Sequence, residues 1–208
     1  MNYQKLLFGI LLFSVLVSNA AAVNLLNPES SGKPQIDDPD PSRFSVCYGN
    51  TCHTVEHVSL SPQQWEAVRE FFLPLAETPE QERSQIANAI AYLEVEVGKQ
   101  INSLGDRGGN LKGFGSSSNQ LDCVDESTNS TSYMRMMEKD GLFQFHRVDK
   151  KRQHGFLIIG GWPHSTAAIQ ETGSGKRWAV DSWFHDNGTK PDIVTMKKWK
   201  AGWRPENN

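Results

Sequence analysis

Cys123 is the cysteine that the surrounding sequence leaves without an obvious partner, and its neighbourhood suits a nucleophile. Ser118 or Asn119 is placed to cap a helix that begins just before this cysteine. Three acidic residues share the first turn of that helix: Asp122, Asp125 and Glu126. Acidic residues favour the positive end of a helix, so Cys123 is expected close to that end, where a thiolate is stabilised. The alternative is a small buried cysteine that packs as an apolar side chain.

Cys123 is followed along the chain by a histidine and an aspartate, in the order that cysteine hydrolases use. His164 opens one predicted strand and Asp181 lies within the next. A thiol is mostly protonated at neutral pH, so an adjacent imidazole has to take its proton while a carboxylate orients the ring. We therefore predict Cys123, His164 and Asp181 as the catalytic residues.

The hairpin that would join His164 to Asp181 depends on its register. An even-length loop centred on Gly173-Ser174 pairs His164 with Trp183 and Thr166 with Asp181. His164 and Asp181 are then diagonal neighbours on one face, about 7–8 Å apart at Cα, which their side chains can bridge. An odd-length loop would turn Asp181 to the opposite face.

Other histidines are less suited to the role of base. His146 and His154 lie in or near predicted strands without an acidic partner at pairing distance, and His185 belongs to a turn. Asp186 in that turn is the second choice after Asp181.

An oxyanion formed at Cys123 would need hydrogen-bond donors. The backbone N–H of Cys123 at the helix start supplies one candidate, and the side chain of Gln120 or Asn119 supplies another.

Two predicted helices precede this region. Ser61-Pro62 and Thr78-Pro79 are each followed by a glutamine at the capping-box position, which predicts helices to about Phe72 and to Leu104-Gly105. Residues 105–118 form a glycine- and serine-rich loop, and a helix is expected over 122–139 although serine and threonine are poor helix formers. Strands are expected over 142–148 and 155–160, joined by a basic turn, and then over 164–170 and 177–183. Helices followed by strands predict an α+β domain.

These residues resemble a known family. Asp122-Cys123-Val124-Asp125, a helix, His164 at a strand start and Asp181 on the next strand are similar to the bacterial transglutaminase-like cysteine peptidases, whose cysteine motif is typically Asp-Cys-Glu-Asp. The resemblance covers about Gln120 to Phe184 and implies peptide substrates. It also implies a papain/transglutaminase-like core, in which the cysteine helix packs on an antiparallel sheet. Asp181-Ser182-Trp183 further resembles the Asn-Ser-Trp of papain-type proteases, where the tryptophan shields the hydrogen bond of the triad.

The resemblance does not decide whether the protein binds a metal or which class of amide bond it cleaves. Some family members bind calcium through acids beside the cysteine, but Val124 stands where one acid is expected, so no metal is predicted to be required. Asp122, Asp125 and Glu126 remain as a calcium alternative, or they simply favour the helix start. A cell-wall amide hydrolase of the NlpC/P60 type is a second enzyme hypothesis, although small apolar residues usually follow the cysteine in that family.

A non-enzymatic hypothesis is an exported binding or assembly module with a vestigial triad. Its contact surface would be formed by exposed tryptophans, namely Trp162, Trp183, Trp199 and Trp203.

The N-terminus predicts export. Lys5 precedes an apolar run over 6–17 that is too short to span a bilayer, and small residues follow, so a signal peptide cleaved near Ala22 is expected. A mobile arm is predicted over 23–42 and one domain over 43–208, with the hairpin and helices in 43–104 and the catalytic core in 105–208. The mature protein would be secreted or periplasmic, with no membrane span and with protein, peptide or cell-envelope substrates. The net charge of −3 and the scattered basic residues do not indicate nucleic-acid binding.

Cys47 and Cys52 flank a short turn between two β-prone runs. In an oxidising compartment this spacing predicts a disulfide across a hairpin. Three free thiols, or a zinc site using Cys47, Cys52 and His53 or His57, are the alternatives, and the zinc site lacks a convincing fourth ligand.

Overall fold

The computed structural model describes residues 31–109, 119–155 and 163–206. The predicted signal peptide, the second half of the 105–118 loop, the 155–160 strand beyond Gly155, and Trp162 lie outside these residues. The described part is an α+β structure in which one helix packs against a four-stranded antiparallel sheet. None of its helices combines the length and the apolar character needed to cross a bilayer.

A small three-stranded sheet forms the N-terminal edge. It contains β1 (Ser31–Gly32), β2 (Phe44–Tyr48) and β3 (Thr54–Val58), in the order β1-β3-β2. β2 and β3 form the predicted hairpin, with Cys47 opposite Val55. The described part of the predicted mobile arm differs from the expectation, because β1 pairs with β3 and the amide of Ile36 donates to Ser45 Oγ at 2.8 Å. Backbone pairing therefore anchors this segment.

Two helices follow with the predicted start signals. α1 (Pro62–Glu70) and α2 (Pro79–Ile101) each have a complete capping box and a proline in the first turn. α2 ends three residues before the predicted Leu104, because Asn102 adopts the left-handed conformation at φ 58° and terminates the helix.

The central helix, α3 (Cys123–Lys139), is buried along much of its length. Its hydroxyl groups bond back to the preceding turn, as in Thr128 Oγ1 to Val124 O and Thr131 Oγ1 to Ser127 O, both 2.6 Å. These bonds satisfy side chains that would otherwise be costly to bury, which explains how a serine- and threonine-rich helix is accommodated in the interior.

The second sheet has the order β4-β5-β6-β7, with all neighbours antiparallel. Its elements are β4 (His146–His154), β5 (His164–Glu171), β6 (Arg177–Asp181) and β7 (Asp192–Thr195), and α4 (Met196–Lys200) follows. The predicted basic turn is wrong: residues 150–152 belong to β4, and only a register shift between Asp149 and Arg152 marks the place. The basic side chains are accommodated because β4 is an edge strand with one exposed face.

The main core lies between the helices and the sheets. Phe44 of β2 meets Tyr133 of α3 edge to face, with ring centroids 6.1 Å apart. Leu93 of α2 and Ile169 of β5 complete the same fully buried cluster. This packing holds α3, and hence its first residue, against the start of β5 and the end of β6.

Candidate active site

Cys123 is the first residue of α3, and Asp122 caps the helix. The predicted caps are therefore corrected: Asn119 does not cap α3, and Ser118 lies outside the described residues. Asp122 Oδ1 accepts from the amides of Val124 and Asp125 at 2.9 and 3.0 Å, and Asp125 returns a bond to the Asp122 amide at 3.2 Å. Cys123 thus lies at the helix start, as predicted.

The sulphur of Cys123 lies in a dry and negatively charged environment. The side chain is buried against Trp183 and Phe184, and the amide of Ser165, the residue after His164, donates to the sulphur. Burial raises the pKa of Cys123 to about 12, and the charges of Asp122 and Asp181 add to the effect. The predicted stabilised thiolate is therefore wrong for this structure. The acids that cap the helix offset its positive end, and little water reaches the sulphur.

The β5–β6 hairpin has the even register on which the triad depends. Ala167 lies opposite Val180, and the same register sets Thr166 against Asp181 and His164 against Trp183. His164 Nε2 donates to Asp181 Oδ2 at 2.7 Å. His164 Nδ1 is buried and has no hydrogen-bond partner within 31–109, 119–155 and 163–206. Nδ1 is therefore the ring nitrogen that is left to act as a base. The next residue in β5, Ser165, is the one whose amide contacts the Cys123 sulphur.

Trp199, which the sequence analysis assigned to an exposed contact surface, instead contacts Asp181 and His164. It is completely buried, and its Nε1 donates to Asp181 Oδ2 at 2.6 Å, so the imidazole and the indole share one carboxylate oxygen. Its ring centroid lies 5.4 Å from that of His164, and the ring of Trp183 lies 4.8 Å away on a tilted plane. The ring of Trp183 packs against the imidazole of His164, whereas Trp199 donates the hydrogen bond to Asp181. No local sequence signal connects α4 to Asp181.

His154 is a second missed neighbour. It lies opposite His164 in the β4–β5 pairing, and its ring meets Trp199 edge to face at 4.2 Å. Burial lowers the pKa of His154, and the nearby His164 lowers it further. Assigning residues 150–152 to a turn hid this contact, because only a continuous β4 brings His154 next to His164.

The two other histidines weighed in the sequence analysis, His146 and His185, have carboxylate partners elsewhere. The expectation that His146 lacks one is wrong, because its Nδ1 lies 2.9 Å from the buried Glu82 of α2. His185 Nε2 lies 2.6 Å from Asp192. The second-choice Asp186 accepts from Arg107 Nη1 at 2.6 Å and from the amide of Gly108 at 3.0 Å.

The two predicted oxyanion side chains bind the neighbouring loop. Gln120 Nε2 donates to Gly105 O, and Asn119 Nδ2 donates to Asn102 O, both at 3.1 Å. Gln120 Oε1 also accepts from the amide of Arg107 at 3.2 Å. These bonds hold the segment before Cys123, and the N–H of Cys123 itself remains the simplest donor for an oxyanion, since the first amides of a helix have no intrahelical acceptor.

The acids beside Cys123 accept backbone hydrogen bonds, which agrees with the helix-start interpretation of their role. Asp125 receives the amides of Asn50 and Cys52 at 2.8 and 2.6 Å, and Asp122 receives that of Thr51 at 2.9 Å. Within the described residues, the group of side chains close enough together to hold a metal is Cys47, Cys52 and Asp125, with ligand atoms within 4.8 Å of one another. Its two sulphurs are joined in the predicted Cys47–Cys52 disulfide, which the structure confirms.

A cluster of buried acids lies near the start of α3. Burial raises the pKa of Glu94 to about 8 and that of Asp106 to about 7, and it raises the pKa of Glu126 well above the ordinary value. Glu94 accepts from the amide of Gly188 at 3.1 Å and from the Ser182 hydroxyl. A raised pKa means that a carboxyl group keeps its proton to higher pH, which reduces the cost of burying its charge.

The tryptophan contact surface expected for a binding module is not present as predicted. Trp199 and Trp183 are buried, Trp203 is half-buried against Phe184, and Trp162 lies outside the described residues.

Compared with known proteins, the chain matches no family model, no curated protein and no solved structure. The interpretation of the site therefore depends on its geometry.

Proposed function

We propose that the protein is an exported thiol hydrolase that cleaves peptide or amide bonds through Cys123, His164 and Asp181. The observation that carries the proposal is the His164–Asp181 hydrogen bond of 2.7 Å, which leaves a buried Nδ1 without a partner among the described residues. The amide of the next residue, Ser165, donates to the sulphur of Cys123 at the start of α3. A carboxylate on one ring nitrogen selects the tautomer in which the other nitrogen accepts a proton. The resemblance to transglutaminase-like peptidases, and the papain-like core it implies, agree with this proposal.

The chemistry starts from a neutral thiol, because the pKa of Cys123 is about 12. His164 Nδ1 takes the thiol proton as the sulphur attacks the carbonyl carbon, and the N–H of Cys123 donates to the oxyanion. The tetrahedral intermediate collapses to a thioester while the imidazolium returns its proton to the leaving amine. Water then attacks the thioester, with His164 again as the base, and releases the acid and the free thiol.

Export is supported by the disulfide. Cys47–Cys52 is a bond that persists in oxidising compartments, and Cys123 stays a free thiol in the same chain. Secreted or periplasmic peptide and amide substrates follow as the proposed targets.

A direct test traps the acyl-enzyme. p-Nitrophenyl acetate is expected to acetylate Cys123, to be detected as a modified peptide by mass spectrometry, and to turn over in the wild type. Cys123→Ser should show no thioester, and His164→Ala should lose turnover. His185→Ala removes a histidine with a similar carboxylate partner and should retain it. Equal turnover in His164→Ala and wild type would contradict the proposal.

A catalytically inactive module is the second candidate, and the burial of Cys123 is the observation that favours it. In that case no acetylated Cys123 peptide forms at any pH at which the fold persists. An NlpC/P60-type amide hydrolase would acylate the same cysteine and would differ by cleaving isolated cell-wall peptide in preference to denatured protein.

A further inference from the structure

The loop closed by the Cys47–Cys52 disulfide has an unusual backbone. Asn50, Thr51 and Cys52 have φ values of 68°, 55° and 53°, all in the left-handed region. Residues other than glycine rarely adopt this conformation, and three in succession are rarer still. Such a run needs a constraint from outside, and the disulfide that closes the loop from Cys47 to Cys52 supplies one.

The left-handed run directs three successive amides at the start of α3. The N–H groups of Asn50 and Cys52 donate to the two oxygens of Asp125 at 2.8 and 2.6 Å. The N–H of Thr51 donates to Asp122 Oδ2 at 2.9 Å. Asp122 caps α3 and Asp125 completes the capping box, so the loop binds the two side chains on either side of Cys123.

Two further contacts extend the same attachment. Asn129, almost two turns into α3, accepts from the amide of Cys47 at 2.7 Å and donates to the carbonyl of Cys47 at 2.8 Å. The amide of Gly49 donates to Gln120 O at 3.0 Å, just before the helix. Asp125 is completely buried, so loss of the loop amides would leave its carboxyl group without those partners in the interior.

We propose that the Cys47–Cys52 loop positions Cys123, with Asp125 and Asn129 as positioning residues, and that reduction of the disulfide therefore switches the site off. This inference rests on the proposed function and adds redox regulation to it. Three loop amides bind the two capping carboxylates of α3, and two further bonds join Cys47 to Asn129.

The switching reaction is thiol–disulfide exchange with a dithiol. A thiolate of the dithiol attacks the half-buried Cys52 sulphur, forms a mixed disulfide and releases Cys47 as a thiolate, which takes a proton. The second thiol of the reagent then displaces Cys52, so the reagent leaves as its cyclic disulfide. Two electrons and two protons pass to Cys47 and Cys52. The freed loop can relax from the left-handed conformation and withdraw its amides from Asp122 and Asp125.

The test compares oxidised protein with protein reduced by dithiothreitol and freed of excess reagent. Two quantities are measured: turnover of p-nitrophenyl acetate and the rate at which iodoacetamide modifies the Cys123 peptide, read by mass spectrometry. Reduction should lower turnover by roughly 100-fold, the loss expected from displacing a catalytic group by about 1 Å. It should raise the alkylation rate several-fold, because the loosened first turn exposes the buried sulphur.

Matched variants separate positioning from general stability. A Cys47→Ser and Cys52→Ser double variant should show the reduced values with or without dithiothreitol. Asp125→Asn leaves the disulfide intact but places an N–H group against one of the loop amides. It should therefore lower turnover and raise the Cys123 alkylation rate, as reduction does. Asp140→Asn acts at the other end of α3, where the carboxylate accepts from Trp65 and Arg69, and should leave the Cys123 alkylation rate unchanged.

The outcomes are distinguishable. Reduction that alters neither turnover nor alkylation overturns the inference, as does an Asp140→Asn effect equal to that of Asp125→Asn. If no form of the protein turns over but reduction still accelerates Cys123 alkylation, the proposed function fails and the positioning inference stands. If reduction unfolds the protein, as judged by near-ultraviolet circular dichroism, Asp125→Asn carries the same test.

Discussion

At the scale of single residues, Cys123 has the position of a nucleophile and the environment of a buried thiol. The helix start favours the charged form, but burial and the carboxylates of Asp122 and Asp181 outweigh it and raise its pKa to about 12. Catalysis by such a thiol requires proton transfer to His164 during attack. This distinguishes the site from one that holds a preformed thiolate–imidazolium pair.

The pKa of Cys123 predicts slow alkylation at neutral pH. An ordinary thiol has a pKa near 8.5, so the thiolate fraction of Cys123 at pH 7 should be roughly a thousandfold smaller. The iodoacetamide rate of the oxidised protein should rise with pH without a plateau up to about pH 10, measured on the Cys123 peptide, with Cys123→Ser as the blank. A plateau below pH 8.5 that His164→Ala removes would instead reveal an ion pair.

One oxygen of Asp181 accepts hydrogen bonds from two buried donors. Substitutions of Asp181 can therefore separate the effect of the acceptor atom from the effect of the negative charge. Asp181→Ala leaves His164 Nε2 and Trp199 Nε1 without their acceptor, which should cost about 2–4 kcal/mol of unfolding free energy. Asp181→Asn retains an acceptor oxygen, so its stability loss should be smaller while turnover still falls by orders of magnitude. Urea denaturation and p-nitrophenyl acetate turnover measure the two effects. Equal stability loss in both variants would show that the shared oxygen is unimportant.

At the scale of elements, a buried carboxylate of α2 binds the start of β4. Glu82 accepts from the amides of Gln144, Phe145 and His146 and from His146 Nδ1, at distances of 2.6 to 3.1 Å. Burial by itself would raise the pKa of Glu82, but the His146 ring and the backbone donors outweigh it and lower the pKa. The first turn of α2 thereby fixes the start of the strand that ends beside His164.

Removing this carboxylate should therefore be costly. Glu82→Ala leaves three backbone amides and one imidazole without an acceptor and should lower the unfolding free energy by about 3–5 kcal/mol, as breaking a buried pair does. Glu66→Ala, which removes an exposed partner of Arg69, should cost less than about 1 kcal/mol. Urea denaturation at pH 7 measures both. A Glu82→Ala loss as small as that of Glu66→Ala would contradict the role of this contact.

Sequence patterns located most of these elements because helix starts and hairpins are local. Each capping box spans only four consecutive residues, and the β5–β6 register follows from the length of one loop. The extent of β4 was missed because its basic residues resemble a turn, whereas pairing with β5 stabilises them as a strand. Pairing with a distant strand is not visible in local composition.

At the scale of the whole molecule, several carboxyl groups are buried in the interior, where their ionised form is unfavourable. Glu94, Asp106 and Glu126 are buried, and desolvation raises the pKa of each. The charge of Asp106 also raises the pKa of Glu94, and the charges of Glu94 and Asp106 raise that of Glu126. In the unfolded chain the same groups titrate near pH 4. At these three positions the folded state therefore holds more protons than the unfolded state as the pH rises above about 4.

This difference predicts that stability falls as the pH rises. A carboxyl group with a raised folded-state pKa contributes stability that is fully present below its unfolded pKa and is lost as the pH passes its folded pKa, here about 7 for Asp106 and about 8 for Glu94. Each such group lowers the unfolding free energy by up to about 1.4 kcal/mol per pH unit in this window. His154, whose pKa is lowered, opposes the trend as a single group.

Urea denaturation at pH 5.5 and pH 8 checks the prediction, and Glu94→Gln should flatten the dependence because it removes one titrating group. Stability that rises between these pH values would contradict the protonated state of the cluster.

The sequence by itself indicated the features that depend on neighbours along the chain: the helix starts of α1 and α2, the position of Cys123 at the beginning of α3 and the Cys47–Cys52 pairing. The register that brings His164 to Asp181 was open between an even and an odd loop, and the structure fixed it as even. Only the tertiary structure decided that Asp122 caps α3, that Trp199 binds Asp181, and that the disulfide loop binds Asp125. It also decided the burial of Cys123, which raises the pKa of its thiol. Desolvation and hydrogen bonds between distant segments depend on which groups the fold brings together, and residue type and spacing do not specify that.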